Sequence, residues 1–202
     1  MNKKIIFLDW DGTLCWSRFW ESLTKTNPEF SKEIDNFFMF EKEMVTNWMR
    51  GKIGSEEINK FISQKTGFSE SKLWQIFVSD CKNMKIDSEV TELIKKLKEK
   101  YLIVLVTGNM DCFTRFTVPE LGLERFFDLI INSADIGYLK NEHNGKIFTD
   151  CLKRFNIDDM SKAYLLEDSE KVCNIFTKLG GQTMKINNNE DTIKYLKLLL
   201  TL

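Results

Sequence analysis

Two apolar rhythms run along the chain. Five short runs bounded by turn or charged residues stand out, most of them apolar at consecutive positions: 5–8, 102–106, 129–131, 163–166 and 183–186. Runs of this kind, β-branched or leucine-rich and without alternation, read as strands buried on both faces of a parallel sheet. Between and after them, apolar residues recur at three- and four-residue spacing. Residues 88–100 (SEVTELIKKLKEK) place Val90, Leu93, Ile94 and Leu97 on one stripe behind a serine start. Residues 146–155, 170–179 and 191–199 repeat the pattern, and Gly180-Gly181 suits the end of the 170–179 helix. Strand and helix alternating in this way predict an α/β fold: a Rossmann-like, doubly wound parallel sheet.

One interval breaks the alternation. Residues 15–85 contain no convincing strand and read as four helices over 18–26, 31–49, 55–64 and 69–81, with Gly51, Gly54 and Gly67 between them. All five tryptophans (Trp10, Trp16, Trp20, Trp48, Trp74) precede residue 75. The expected organisation is a core of residues 1–14 and 87–202 carrying an aromatic, helical insertion of residues 15–86 with its own small hydrophobic centre.

Composition narrows the function classes. The 202 residues are 43% hydrophobic and 29% charged, a globular balance. With 29 basic and 30 acidic residues, the formal charge of −1 argues against a nucleic-acid binder working through a basic surface. The five cysteines (Cys15, Cys81, Cys112, Cys151, Cys173) are scattered, odd in number and form no C-x-x-C pair, so they read as reduced packing thiols. With His143 as the only histidine, a Cys/His nucleophile has little support. The apolar run after Met1–Lys4 is too short for a signal peptide, and no stretch reaches transmembrane length. A cytoplasmic protein that binds no membrane is the default expectation.

The candidate chemistry lies where the strands end. In an open parallel sheet, ligands bind beyond the carboxyl ends of the strands. The first run stops in two carboxylates one residue apart and a turn glycine, IIFLDWDGTL, that is Asp9, Asp11, Gly12 and Thr13. The second ends in Thr107-Gly108-Asn109 and the fourth in Glu167-Asp168-Ser169, while Gly137-Tyr138-Leu139-Lys140 precedes the fourth on a loop. So many carboxylates cannot all stay ionised together without a cation, and oxygen-only ligands favour a hard ion such as Mg²⁺. A free carboxylate can attack a phosphoryl group, while a hydroxyl, backbone N–H groups and a lysine stabilise its oxygens. A second carboxyl can protonate the leaving oxygen and later activate water. A calcium loop also begins D-x-D-G but needs an acid at its twelfth position, which here is Trp20.

These motifs resemble those of the haloacid dehalogenase-like hydrolase superfamily, over essentially the whole chain. FLDWDGTL is similar to the first family motif, VLVTGN to the second and LLEDS to the fourth. The resemblance implies that Asp9 is the nucleophile and Asp11 the general acid/base. It makes Thr107 and Lys140 the remaining catalytic groups, with Gly12, Thr13, Gly108 and Asn109 about the phosphate. Asp9, Asp11 (through its backbone carbonyl), Asp168 and Glu167 would hold Mg²⁺. The helical insertion becomes a cap that selects the substrate, with Trp16, Phe19 and Trp20 following the nucleophile loop and suited to a flat or apolar leaving group. Two departures stand out. Lys140 is followed by Asn141 rather than proline, with Ile147-Phe148 seven residues beyond it, which leaves Lys146 as an alternative lysine. Val172 stands where many relatives have an acid or amide, so Glu167 would serve as a direct or water-mediated ligand. The implied activity is Mg²⁺-dependent hydrolysis of a small phosphorylated metabolite through a phospho-Asp9 intermediate, by a monomer or homodimer. Phosphotransfer or sugar-phosphate mutation uses the same groups. A dehalogenase is disfavoured by Asp11 and Asp168, and a non-catalytic phospholigand-binding module remains a further alternative.

Overall fold

A computed structural model describes residues 4–202. All five apolar runs form strands: β1 (Lys4–Leu8), β2 (Tyr101–Thr107), β3 (Leu129–Asn132), β4 (Ala163–Glu167) and β5 (Gln182–Lys185). They pair in parallel in the order β3-β2-β1-β4-β5, so the first strand is central. The helices are α1 (Glu21–Thr24), α2 (Pro28–Phe40), α3 (Lys42–Met49), α4 (Ser55–Thr66), α5 (Glu70–Lys82), α6 (Ser88–Leu97), α7 (Val118–Leu121), α8 (Ser133–Ile136), α9 (Lys146–Arg154), α10 (Glu170–Lys178) and α11 (Asn189–Thr201).

The consecutive apolar residues of each strand divide between two cores, as the two-residue period of a strand requires. Ile6, Leu8, Ile103, Leu105, Tyr164 and Leu166 pack on one side with the stripes of α6 and α11. Ile5, Phe7, Val104, Val106, Ala163 and Leu165 pack on the other with α9 and α10. Phe7 anchors the second core through edge contacts to Phe148 and Phe176 at 5.3 and 5.7 Å. Burial of this kind is worth ~1.5–3 kcal/mol per large side chain, and it holds the strand ends in register.

The helical segment between β1 and α6 builds a third core from Trp20, Phe30, Ile34, Phe37, Trp48, Ile58, Ile62, Leu73 and Phe77. Its two ends meet at Cys15, which bridges to Asp11 on one side and Ile86 on the other. Two of the expected helices differ. The 31–49 helix is two, α2 and α3, broken at Glu41 (φ −90°, ψ 45°). Eleven residues of unbroken helix rise ~16 Å, whereas the rings of Phe37 and Trp48 lie 6.5 Å apart in one core; the break brings them together. The 18–26 helix shrinks to the single turn α1, because Trp20 takes the left-handed conformation at φ 53°. Asn27 then caps α2, accepting from the Phe30 N–H at 2.9 Å, with Pro28 at the first helical position. A π-helical turn at Phe113–Thr117 and the short helix α7 fill the stretch after β2, where the apolar pattern predicts nothing.

Several polar contacts fix the helical segment to the sheet domain, three of them close to the strand ends. The Asp111 carboxylate, just after β2, accepts from the Trp48 indole (2.9 Å), the Ser55 hydroxyl (2.6 Å) and the Ser55 N–H (3.1 Å), and pairs with Arg115 at 2.7 Å. Burial opposes its ionisation, but these donors outweigh that and hold its carboxyl below the usual range. The Ser133 hydroxyl donates to the Met49 carbonyl at 2.6 Å, beside Gly51, where any Cβ would run into the Ala134 carbonyl. Arg50 pairs with Glu142, whose carboxylate also accepts from the Leu139 N–H at 2.8 Å. Glu142 thereby ties α3 to the loop that carries Lys140.

Candidate active site

A cleft of about 920 Å³ opens between the carboxyl ends of the strands and the helical segment. Its floor holds Asp9, Asp11, Gly12, Thr107, Gly108, Lys140, Glu167 and Asp168. Asp9 continues the β1 ladder, its N–H donating to the Leu166 carbonyl at 3.1 Å, which aims its buried carboxylate across the strand ends. The chain then turns over Trp10, whose carbonyl accepts from the N–H groups of Thr13, Leu14 and Cys15. Gly12 stands at φ 67°, and a Cβ there would come within 2.7 Å of Asp168 Oδ2. Glycine is required twice over, by conformation and by the close approach of the fourth strand's acid.

Lys140 lies at the centre. Its buried ammonium sits 2.6 Å from Asp9 Oδ1 and 2.7 Å from Glu167 Oε2. Burial alone would lower its pKa; the charges of Asp9 and Glu167 outweigh that and raise it, so it stays an ammonium. Lys146, the alternative lysine, is exposed on α9 and pairs with Asp150. Glu167 is fully buried; burial, then the charge of Asp9, pushes its carboxyl upward, while Lys140 opposes. Its other oxygen accepts from the Ser169 N–H at 3.0 Å. Oxygens of Asp9, Glu167 and Asp168 lie within 4.8 Å of one another, a hard, all-oxygen donor set that fits a small divalent cation. The Asp11 side chain is not one of these three. Val172 packs into the core and offers no ligand atom.

Asp11 is open to the cleft yet hemmed in by its walls. Burial by the surrounding protein, then the charges of Asp9 and Asp168, push its carboxyl up to about 7 against the pull of Lys140 and Arg18. Thr107 is buried at the end of β2, and its Oγ1 has no partner among the described residues. Gly108 lets that strand end pass close to Met49 and Lys140. Thr13 and Asn109 do not face the cleft. Thr13 is buried behind the loop, its carbonyl accepting from the Thr192 hydroxyl at 2.8 Å. The Asn109 amide instead donates to Asp11 Oδ2 at 2.8 Å.

The opposite wall is supplied by Trp16, Arg18, Phe19, Ser31, Ile34, Asp35 and Phe38. Trp16 and Phe38 are 46% and 36% exposed, unusual for aromatic residues of this size. Trp20 is fully buried in the helical core, its ring tilted against that of Phe77 at 4.7 Å, and does not line the cleft. His143 is exposed against Tyr138, and all five cysteines are buried and unbridged.

A central parallel strand ending in paired carboxylates, with a lysine and further acids converging from the neighbouring strands, defines a hydrolase-type α/β site at the switch point of the sheet. A family model for haloacid dehalogenase-like hydrolases matches residues 3–171, and the chain belongs to that family. Its fold is that of a HAD family enzyme from Bacteroides thetaiotaomicron: TM-score 0.72, 19% identity, 92% of this chain and 94% of that one covered. That enzyme is also known with magnesium and inorganic phosphate bound. A HAD-like family hydrolase from Porphyromonas gingivalis matches over 100% of both chains (TM-score 0.72, 17% identity). A dehalogenase matches over 92% of this chain and 85% of its own (TM-score 0.67, 15% identity). At these identities the likeness is one of fold. No curated protein matches the chain in sequence.

Proposed function

We propose that the protein is a Mg²⁺-dependent phosphatase acting on a small phosphorylated metabolite. The observation that carries this reading is the meeting of Asp9, Lys140, Glu167 and Asp168 at one cleft floor beside the unpartnered Thr107 hydroxyl. The magnesium and phosphate bound by the Bacteroides relative support it. Bound at Asp9, Glu167 and Asp168, with the Asp11 carbonyl, Mg²⁺ would neutralise charge on the acids and on the phosphoryl oxygens.

Lys140 holds Asp9 Oδ1 and so orients the second oxygen of that carboxylate for attack on phosphorus. The Asp9–phosphorus bond forms as the bond to the leaving oxygen breaks. Asp11, protonated, gives its proton to that oxygen. Thr107 Oγ1 and the ammonium of Lys140 meet the phosphoryl oxygens. Asp11, now a carboxylate, takes a proton from water as the water oxygen bonds to phosphorus and the Asp9 oxygen–phosphorus bond of the acyl phosphate breaks. Asp9 is regenerated and Asp11 is again protonated. Transfer to a second hydroxyl in place of water would make the same site a phosphotransferase. A dehalogenase would use the same nucleophilic carboxylate but neither Asp11 nor a metal, so Asp11 and Asp168 both weigh against that reading.

Residues 15–86 act in this reading as a cap. Trp16, Phe19, Ile34 and Phe38 face the leaving group with an apolar wall, which suits a flat or apolar moiety. Initial rates on para-nitrophenyl phosphate, with Mg²⁺ and with EDTA, test the reading on wild type and Asp9→Asn. Metal-dependent turnover lost in Asp9→Asn is expected. Metal-independent release of halide from a 2-haloacid, with no phosphate release from any ester, would overturn it.

A further inference from the structure

We infer that Asn109 is a positioning residue for the general acid Asp11, not a phosphate ligand. Its side chain is fully buried and does not face the cleft. Both ends of its amide are committed: Nδ2 donates to Asp11 Oδ2 at 2.8 Å, and Oδ1 accepts from the Met110 N–H at 2.8 Å. The second bond fixes which end of the amide points at Asp11. A donor is thus presented to one oxygen of the carboxyl, and the proton to be transferred resides on the other.

The residues behind Asn109 hold it in turn. Its N–H donates to Asn132 Oδ1 at 3.2 Å, and its carbonyl accepts from the Ser133 hydroxyl at 3.0 Å. Asn132 is 1% exposed and Ser133 is fully buried. The Asn132 amide donates to the Met110 carbonyl (2.9 Å) and to the Thr114 hydroxyl (3.0 Å). The Ser133 hydroxyl shares its single proton between the Asn109 carbonyl and the nearer Met49 carbonyl at 2.6 Å, Met49 being the last residue of α3. A satisfied polar network therefore runs from the end of β3, through Asn109, to the carboxyl that must be aimed at the leaving oxygen, and it touches the helical segment on the way. Buried networks of this kind rigidify what they hold, because any rearrangement leaves a polar group unpaired.

This inference rests on the phosphatase reading, and the experiment separates their failures. Proton donation matters little when the departing oxygen is a weak base and greatly when it is a strong one. Phenyl phosphate and para-nitrophenyl phosphate present nearly the same shape but differ in that basicity. The ratio of their kcat/KM values is taken within each variant, so it is independent of how much of the variant is folded. Asp11→Asn should lower the phenyl to para-nitrophenyl ratio steeply, toward the ~10²–10⁴ that a positioned proton donor supplies. Asn109→Asp, equal in size but without the donor, and Asn109→Ala should each lower it by about tenfold. Their inhibition by inorganic phosphate should stay within about threefold of wild type, a change worth under about 1 kcal/mol. A wild-type ratio in both Asn109 variants, with a lowered ratio in Asp11→Asn, overturns the inference and leaves the phosphatase reading intact. Equal losses on both esters together with weakened phosphate inhibition overturn it as well, in favour of phosphate binding by Asn109. An unchanged ratio in Asp11→Asn removes the acid role itself, and the inference with it.

Discussion

The two walls of the cleft are built on opposite principles. The floor is polar and its centre is buried and paired: Lys140 bridges Asp9 and Glu167, with Asp11 and Asp168 open to the cleft beside them, and the backbone there is strand end and tight turn. The facing wall is more apolar and partly exposed: Trp16 and Phe38 are open to solvent on an irregular linker and a helix end, with Phe19 and Ile34 beside them and Arg18, Ser31 and Asp35 between. Charged groups in low dielectric must be held by fixed partners, which a packed parallel sheet can supply. A wall that meets differing organic groups needs only shape and apolar surface. We read the floor as the place of the chemistry and the helical wall as the place of selection.

Substitutions on the two walls should then fail in different ways. The largest effect belongs to the nucleophile: Asp9→Asn should lower turnover of para-nitrophenyl phosphate by about 10³-fold or more, while Lys140 keeps its Glu167 partner, so stability should fall by less than in Lys140→Ala. Lys140→Ala should lose both activity and stability. It leaves two buried carboxylates facing each other, and removing one member of a buried ion pair costs about 3 kcal/mol or more, measurable by urea unfolding. The exposed Lys146→Ala should change stability by less than about 0.5 kcal/mol and leave the rate unaltered; a rate loss there equal to that of Lys140→Ala would move the lysine role.

The contact between the two walls should be sensitive to acid. Asp111→Ala removes the acceptor shared by Trp48, Ser55 and Arg115 and should cost about 2 kcal/mol at neutral pH. The folded-state pKa of Asp111 is depressed, so its contribution is fully present above the ordinary carboxylate value of about 3.9 and fades as pH falls through the lower folded value. The gap in stability between wild type and Asp111→Ala should therefore close at strongly acid pH. A gap that persisted there would show packing rather than charge at this joint. The smallest effects belong to the aromatic wall. Trp16→Ala and Phe38→Ala should leave stability within about 0.5 kcal/mol. Each should lower kcat/KM for aryl phosphates by about three- to tenfold, in line with aromatic contacts worth about 0.5–1.5 kcal/mol. An equal loss on a small alkyl phosphate would argue against selection by this wall.

Much of this architecture is legible without coordinates, for a reason that can be named. A strand buried on both faces is apolar at nearly every position, so 5–8, 102–106 and 163–166, the three interior strands, announce themselves, and whatever polar group follows such a run sits at the edge where ligands bind. Asp9, Thr107, Glu167 and Asp168 each follow or close such a run, and all four line the cleft. The stripes of α6, α9, α10 and α11 follow from the same need to cover the sheet. The helical segment was legible in kind but not in shape. The break at Glu41 and the left-handed Trp20 come from fitting several aromatic rings into one small core, a demand that no local pattern encodes.

Sequence by itself determined the strands, their order of chemistry-bearing ends and the presence of an aromatic helical insertion, because these depend on periodicity and on the few residue types that suit a strand end or a turn. Only the tertiary structure tells Lys140 and Lys146 apart, since two lysines six residues apart are equivalent until one is seen to be buried between Asp9 and Glu167 and the other to sit exposed beside Asp150. Only the tertiary structure turned Thr13 and Asn109 away from the cleft and set the Asn109 amide on Asp11. The reason is physical: a side chain's partner is chosen by which buried polar groups remain unsatisfied once the chain has packed, and that balance exists only in three dimensions.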